Sequence, residues 1–272
     1  MQTITSPQQP KYTSLGENHG KFEILGCHPG YGTTLGNALR RVILSSLDGA
    51  AARSVKITGV SHEFSTIDGV MEDVVQIILN LKQVRFRLHG DEPVKITLKS
   101  KGEGVVTAAA FKTTSNIEVV NPDQVIFTIS EKKTEVEMEI EVDKGLGYVP
   151  VEHREKSDDH EIGVIAIDAI YTPVKRVNYE VENMRVGKRT DYDKITLEIV
   201  TDGTVSPVVA FEKSVAILVG QFSALGAMES DAVLATEVEV TEAVAVEAPV
   251  EEVKEKKKVV RKKKTEAQAE TE

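Results

Sequence analysis

Gly30-Tyr31-Gly32-Thr33-Thr34-Leu35-Gly36 stands at the head of a stretch with helical periodicity. A glycine-rich turn feeding a helix start can cradle phosphate on free backbone N–H groups. This turn lacks the Lys-Ser/Thr of a phosphate-binding loop, and its third glycine comes one residue late for the dinucleotide fingerprint. A tight turn with close backbone packing is the better reading. The six histidines, His19, His28, His62, His89, His153 and His160, include no i,i+4 pair and no HExxH, so metal ligation is not expected. Asp158-Asp159 and Asp191-x-Asp193 are carboxylate pairs of the kind that hold Mg²⁺, but both sit in polar stretches that read as solvated turns. No serine is framed as G-x-S-x-G, and the single cysteine, Cys27, has no signature around it. The sequence therefore assigns this chain no catalytic, cofactor-binding or metal-ligating residue.

Composition narrows the class further. The chain has 272 residues, with 33 Lys+Arg against 43 Asp+Glu, a formal net charge of −10. That length suits one large or two small domains with a real core. One cysteine rules out a disulfide framework and fits a reducing compartment. Apolar runs such as Val215–Val219 fall far short of a membrane span, and Met1–Ser14 lacks the basic-then-apolar order of a signal peptide. A cytoplasmic protein without a membrane partner is expected. The acidic balance argues against the whole body forming a nucleic-acid cradle.

The charge is uneven. From Glu229 onward there are 12 acidic and 8 basic residues, a net of −4. The acidic half, Glu237–Glu255, precedes Lys256–Lys264, which reads KKKVVRKKK. Without aromatics or a sustained apolar period this tail cannot bury enough surface to fold alone. Residues 1–11 and 229–272 are expected to be disordered, and 12–228 to form the body.

Most of the body reads as strand. Val94, Ile96 and Leu98 alternate with Lys95, Thr97 and Lys99; Val136, Met138, Ile140 and Val142 alternate with Glu135, Glu137, Glu139 and Glu141; Ile195, Leu197 and Ile199 alternate with Lys194, Thr196 and Glu198. Period two gives one wet and one buried face, as in antiparallel sheets. Three segments read as helices: Thr33–Leu47; Met71–Lys82, with Met71, Val74, Val75, Ile78 and Leu79 on one face; and a third opening at Ser206-Pro207 and closing near Gly226.

The third helix carries Val208, Phe211, Val215, Leu218, Phe222 and Leu225 at spacings 3, 4, 3, 4, 3, a heptad seam. Packing on its own sheet is one reading. The additional apolar Val209, Ile217 and Val219 favour a second neighbour as well, such as another copy of the chain. In the first helix the core arc is predicted at Leu35, Leu39, Val42 and Ser46, leaving Asn37, Arg40, Arg41 and Leu44 outward. That leucine among arginines reads either as incidental surface or as a contact patch.

Gly30-Tyr-Gly-Thr-Thr-Leu-Gly-Asn-Ala-Leu-Arg-Arg-Val-Ile-Leu-Ser-Ser closely resembles the first helix of the bacterial-type RNA polymerase alpha subunit. His62-Glu-Phe-Ser-Thr, Val70-Met-Glu-Asp-Val-Val and Leu79-Asn-Leu-Lys are similar to the next blocks of that family. Gly145-Leu-Gly-Tyr-Val-Pro, Asp168-Ala-Ile-Tyr-Thr-Pro-Val and Arg189-Thr-Asp-Tyr-Asp-Lys follow in the family's order. The resemblance spans about 12–228.

It implies an α+β fold: a discontinuous dimerisation subdomain, 12–50 and 162–228, made of an antiparallel sheet and two helices, with an inserted α+β subdomain at 51–161. It implies a homodimer formed by the first and last helices, with Leu35, Leu39, Val208, Phe211, Val215, Leu218, Phe222 and Leu225 at the interface. It implies a non-catalytic assembly scaffold of a DNA-directed RNA polymerase, a nucleotidyltransferase. The dimer would bind the beta and beta-prime subunits, with omega and sigma in the complex. Arg41 matches the family's beta contact, and Asn37, Arg40 and Leu44 share its face; Arg176, Arg185, Lys188, Arg189 and Asp191 fall in regions used for large-subunit contacts. Mg and Zn are expected only in the large subunits, and the location would be the bacterial cytoplasm, in association with the nucleoid. The family's usual carboxy-terminal DNA-binding domain has no counterpart after 228, so promoter and activator contacts are not carried over. Lys256–Lys264 reads as a solubilising tail, one that folds back on its acidic half, or a weak, salt-dependent DNA contact.

Overall fold

A computed structural model describes residues 4–154 and 163–226. Asp158, Asp159, His160 and the tail 229–272, with Lys256–Lys264, lie outside the described residues. In chain order the strands are β1 (Lys11–Gly16), β2 (His19–Cys27), β3 (Asp48–Ile57), β4 (Phe86–Leu88), β5 (Val94–Lys101), β6 (Gly104–Thr107), β7 (Phe111–Lys112), β8 (Ile117–Val119), β9 (Val125–Ile129), β10 (Glu135–Leu146), β11 (Tyr148–Val149), β12 (Val164–Ala166), β13 (Ala169–Ile170), β14 (Val174–Val186) and β15 (Arg189–Thr201). The helices are α1 (Tyr31–Ser45), α2 (Val74–Leu81) and α3 (Pro207–Gly226). The fold is α+β, and its strand pairings are antiparallel.

Two sheets carry two separate cores. The first sheet has the order β1-β2-β15-β14. The alternation in β15 buries Ile195, Leu197 and Ile199 completely against Phe22 and Ile24 of β2, Leu39 and Ile43 of α1 and Phe211 of α3. Burying a side chain of this size contributes about 1.5–3 kcal/mol. The second sheet has the order β7-β5-β10-β3-β4-β8, with β12 also on β3. Here the expected alternation puts Val136, Met138, Ile140 and Val142 in the core with Ile77 and Leu81 of α2. On the wet face Lys95, Lys99 and Lys101 meet Glu139, Glu137 and Glu135 across the ladder.

The second core takes residues from 52 to 142 and then Ile165 and Ile167, so the chain returns to the first core only after β12, which pairs with β3. At the crossing Tyr171 packs with Ala51 and Ala169, and its hydroxyl donates to Asp143 at 2.7 Å. Burial and that carboxylate push its pKa well above the ordinary 10. Gly49 and Gly145 lie against Tyr171 so closely that a Cβ at Gly145 would stand 2.7 Å from the ring, and one at Gly49 would meet the Tyr171 carbonyl oxygen.

Two helices differ from expectation. α2 starts at Val74 because the Asp73 carboxylate caps it, accepting the Gln76 N–H at 2.8 Å. Its buried face is Val74, Ile77 and Leu81. Met71 and Leu79, predicted inward, are exposed at 73% and 47%. α3 is long and apolar enough, by length and composition, to cross a membrane. Its first half instead sits on the first sheet, with Pro207, Ala210, Phe211 and Ser214 buried.

Candidate assembly surface

α1 is seated by glycines and a carboxylate. Gly30 precedes the helix at φ 84°, a left-handed conformation that favours glycine. The Gly30 and Gly32 N–H groups both donate to Oδ2 of Asp193 on β15, each at 2.9 Å. A negative group at a helix N-terminus is favourable, so the chain's own carboxylate takes the donors that a bound phosphate would use. A Cβ at Gly32 would fall 2.7 Å from Asp193 and Val181, and one at Gly36 would fall 2.6 Å from the Tyr179 ring. The helix therefore lies directly on the β14–β15 hairpin. The Asp191-x-Asp193 pair, expected in a solvated turn, is on β15 instead. Asp193 is 7% exposed and spent on the helix, while Asp191 pairs with Arg189.

This seating rotates α1 from the predicted arc. The buried residues are Gly32, Gly36, Leu39 and Ile43, an arc turned by roughly 60° at 100° per residue. Leu35 and Val42 are half-buried. Arg41 stands at the centre of the outward face with Asn37 beside it, both exposed, and the Arg41 guanidinium has no hydrogen bond or ion pair among the described residues. Arg40 lies at the border, its Nε donating to the Val177 carbonyl at 3.2 Å. Leu44 is half-buried and packs on the core.

The α3 seam divides in two. Phe211 stacks on Phe22 with ring centroids 4.5 Å apart, and Val208, Val215 and Leu218 are half-buried on the same core. Beyond them the described residues give no support: Val219, Phe222 and Leu225 are 58%, 64% and 73% exposed. Of the residues expected at a dimer interface, Leu39 and Phe211 are core of the protomer and present little surface. Phe222 and Leu225 are the ones left open, with Val219 adjoining.

The residues expected to reach the large subunits do not form one patch. Arg185, Lys188, Arg189 and Asp191 cluster at the β14–β15 turn, where Val186 pairs with Arg189. Arg189 grips Asp191 through two hydrogen bonds of 3.0 and 2.6 Å and lies 5.4 Å over the Tyr192 ring. That pairing raises the arginine pKa and lowers the aspartate's. Arg176 pairs with Val200 near the other end of β14, roughly 30 Å away at 3.3 Å per residue.

Sequence reading missed Asp193, because its partners lie more than 160 residues away and nothing local marks it. It also missed the exposure of apolar residues around the second core, Phe64 at 79%, Met71 at 73% and Leu79 at 47%. Phe64 and Leu79 border an open groove of about 250 Å³ with Val75, Ile78 and Ile167. Among the described residues no three His, Cys, Asp or Glu side chains come together as a metal-binding group.

Residues 55–172 match the family model for the RNA polymerase Rpb3/RpoA insert domain. This segment covers the second sheet apart from the first part of β3 and ends at the crossing by Tyr171. Relatives named DNA-directed RNA polymerase subunit alpha are similar over most of the chain. The Roseiflexus castenholzii protein is 52% identical over 206 residues, 76% of this chain and 63% of the relative. The Moorella thermoacetica protein is 50% identical over 75% of this chain and 65% of its own length. The Carboxydothermus hydrogenoformans protein is 49% identical over 78% and 68%. The chain thus spans less than two thirds of the length of the first two of these relatives. Half identity across three quarters of the chain, with the insert matched as a unit, has one meaning: the chain belongs to the DNA-directed RNA polymerase alpha-subunit family.

Proposed function

We propose that this chain is a non-catalytic scaffold: a homodimer that nucleates assembly of the beta and beta-prime subunits of a DNA-directed RNA polymerase, joined by omega and sigma, in the bacterial cytoplasm. The observation that carries the reading is α3, whose apolar seam continues through Val219, Phe222 and Leu225 past the end of its own core. A second copy packing on this stretch would remove that surface from water. On this reading 12–50 and 162–228 serve dimerisation and 51–161 is the insert; the presence of two cores favours such a split, with Ile165 and Ile167 packing on the insert side of it. α1 then lies with its glycine stripe on its own sheet and Arg41 outward, an exposed cation available to the beta subunit. Nucleotide chemistry, with its Mg, belongs on this reading to the large subunits.

The dimer is tested by light scattering on the purified chain at micromolar concentration; a clean monomer refutes it. The contact face is tested by co-purification with beta. Arg41→Ala should leave dimers intact and abolish capture of beta, since the guanidinium has no hydrogen bond or ion pair to lose among the described residues. Undiminished capture would place the contact elsewhere.

A further inference from the structure

The loop that launches α3 is held from the insert. Asp202 of this loop accepts from the Thr204 N–H at 2.9 Å and from the Thr204 hydroxyl at 2.6 Å, and its own N–H donates to the Pro173 carbonyl at 3.0 Å. Two arginines at β4 reach it, Arg87 on the strand and Arg85 just before it. Arg85 Nε lies 3.6 Å from Asp202 Oδ2, a carboxylate whose side chain is only 4% exposed. Arg87, on β4, donates from Nε to the Thr204 carbonyl at 3.1 Å and from Nη2 to the Gly203 carbonyl at 3.0 Å, while Nη1 holds Glu118 at 3.0 Å. Gly203 sits at φ 100° with Val120 and Asn18 against it. The planar guanidinium fork fixes two successive carbonyl directions at once, and those carbonyls stand immediately before the first turn of the helix.

A second tie lies further along α3. Lys213 donates to Asp48 at the start of β3 at 2.8 Å. The same carboxylate lies 3.5 Å from Lys144 of β10, which holds Asp91 at 2.8 Å. The apolar seat of α3 is narrow, with Phe211 on Phe22 as its main contact. A helix held apolarly as far as Leu218 and reaching about 10 Å beyond it, at 1.5 Å per residue, turns a small tilt at its base into a larger displacement at Leu225.

We infer that Arg87, with Arg85 and the Lys213–Asp48 pair, is a positioning element: the insert sets the angle at which α3 presents Phe222 and Leu225 to a second copy. The insert is then a determinant of dimerisation although its own surface takes no part in the dimer. The inference rests on the dimer reading above.

The test uses the full chain. Dimer dissociation constants are measured by sedimentation for the wild type, Arg87→Met, Lys213→Met, Leu225→Ala and the double variant Arg87→Met/Leu225→Ala, with thermal midpoints alongside. Arg87→Met and Lys213→Met should each raise the dissociation constant about tenfold. Leu225 lies some 27 Å along the helix from its start, where independent substitutions add. A positioning role instead makes the double variant clearly weaker than additive, because a tilted helix has already withdrawn Leu225. Arg87→Lys, which keeps the charge but not the fork, should recover less than half of the loss. A wild-type dimer whose dissociation constant is unmoved by both Arg87→Met and Lys213→Met, or strict additivity in the double variant, overturns the inference and leaves the dimer standing. A monomeric wild type overturns the dimer reading and this inference together.

Discussion

Replacing Asp193 by alanine probes the seat of α1 directly. The carboxylate accepts two backbone N–H groups at 2.9 Å, and the Gly32 contact is buried. Loss of a helix-capping acceptor costs about 0.5–2 kcal/mol, and a buried donor left without a partner costs about 1–3 kcal/mol. Solvent reaches Gly30, which is exposed, so only the Gly32 N–H bears the full penalty. The sum is about 3 kcal/mol, roughly a 6–12 °C fall in thermal midpoint for a body of this size. Asp193→Asn retains a carbonyl oxygen at the same place and loses only the charge, so it should cost about half as much. Urea unfolding followed by circular dichroism measures both, with an unchanged slope showing that the folded state is otherwise intact. An alanine variant within about 0.5 kcal/mol of wild type, or an asparagine variant as damaged as the alanine one, would refute the capping account.

Further outcomes follow from the same geometry. Gly36→Ala places a Cβ 2.6 Å from the Tyr179 ring and should destabilise by about 1–3 kcal/mol; Tyr179→Ala in the same chain should recover most of this in denaturant titration. Phe222→Glu and Leu225→Glu, at sites already exposed in the protomer, should leave the thermal midpoint of the dilute chain unchanged while shifting light scattering from dimer to monomer; retained dimers would move the interface off this stretch. Asp168 has its pKa held below the ordinary 3.8 by the Val151 N–H and by Lys82. Its folded pKa is depressed, so its contribution is complete above about pH 4 and is lost as pH falls through the lower folded value. Acid unfolding of Asp168→Asn should accordingly show a weaker dependence on pH below 4, and an unchanged profile would count against the pairing.

What the sequence disclosed was whatever repeats within a few residues. The alternation of Glu135–Val142 and of Lys194–Ile199 reports directly which side chains face a core, and both strands are found with those faces. The end of α3 is legible in the same way, since a seam of six residues running from Val208 to Leu225 states its own direction. The orientation of α1 was not, because glycine carries no hydrophobic signal; only the close approach of Tyr179 shows that Gly36, not Leu35, lies against the sheet. Asp73 illustrates a nearer miss: a capping aspartate was present, but the apolar Met71 before it suggested an earlier start. Asp193 and Arg87 act on partners more than a hundred residues away, and no local pattern records such a pairing.

The order of strands in the first sheet also governs how the chain is made. β2 pairs with β15, His19 opposite Val200 and Cys27 opposite Asp193, partners about 170 residues apart, which at ribosomal rates of 5–20 residues per second is an interval of roughly ten to thirty seconds. Through that time Phe22 and Ile24 have been synthesised, but neither the neighbouring strand β15 nor the Phe211 ring that stacks on Phe22 has. The second sheet closes almost wholly within residues 52–142 and has its partners to hand much sooner. Vectorial synthesis therefore completes the insert first, while a two-stranded ribbon waits with one oily face uncovered until β15 joins its edge and α3, emerging last, lays Phe211 on Phe22.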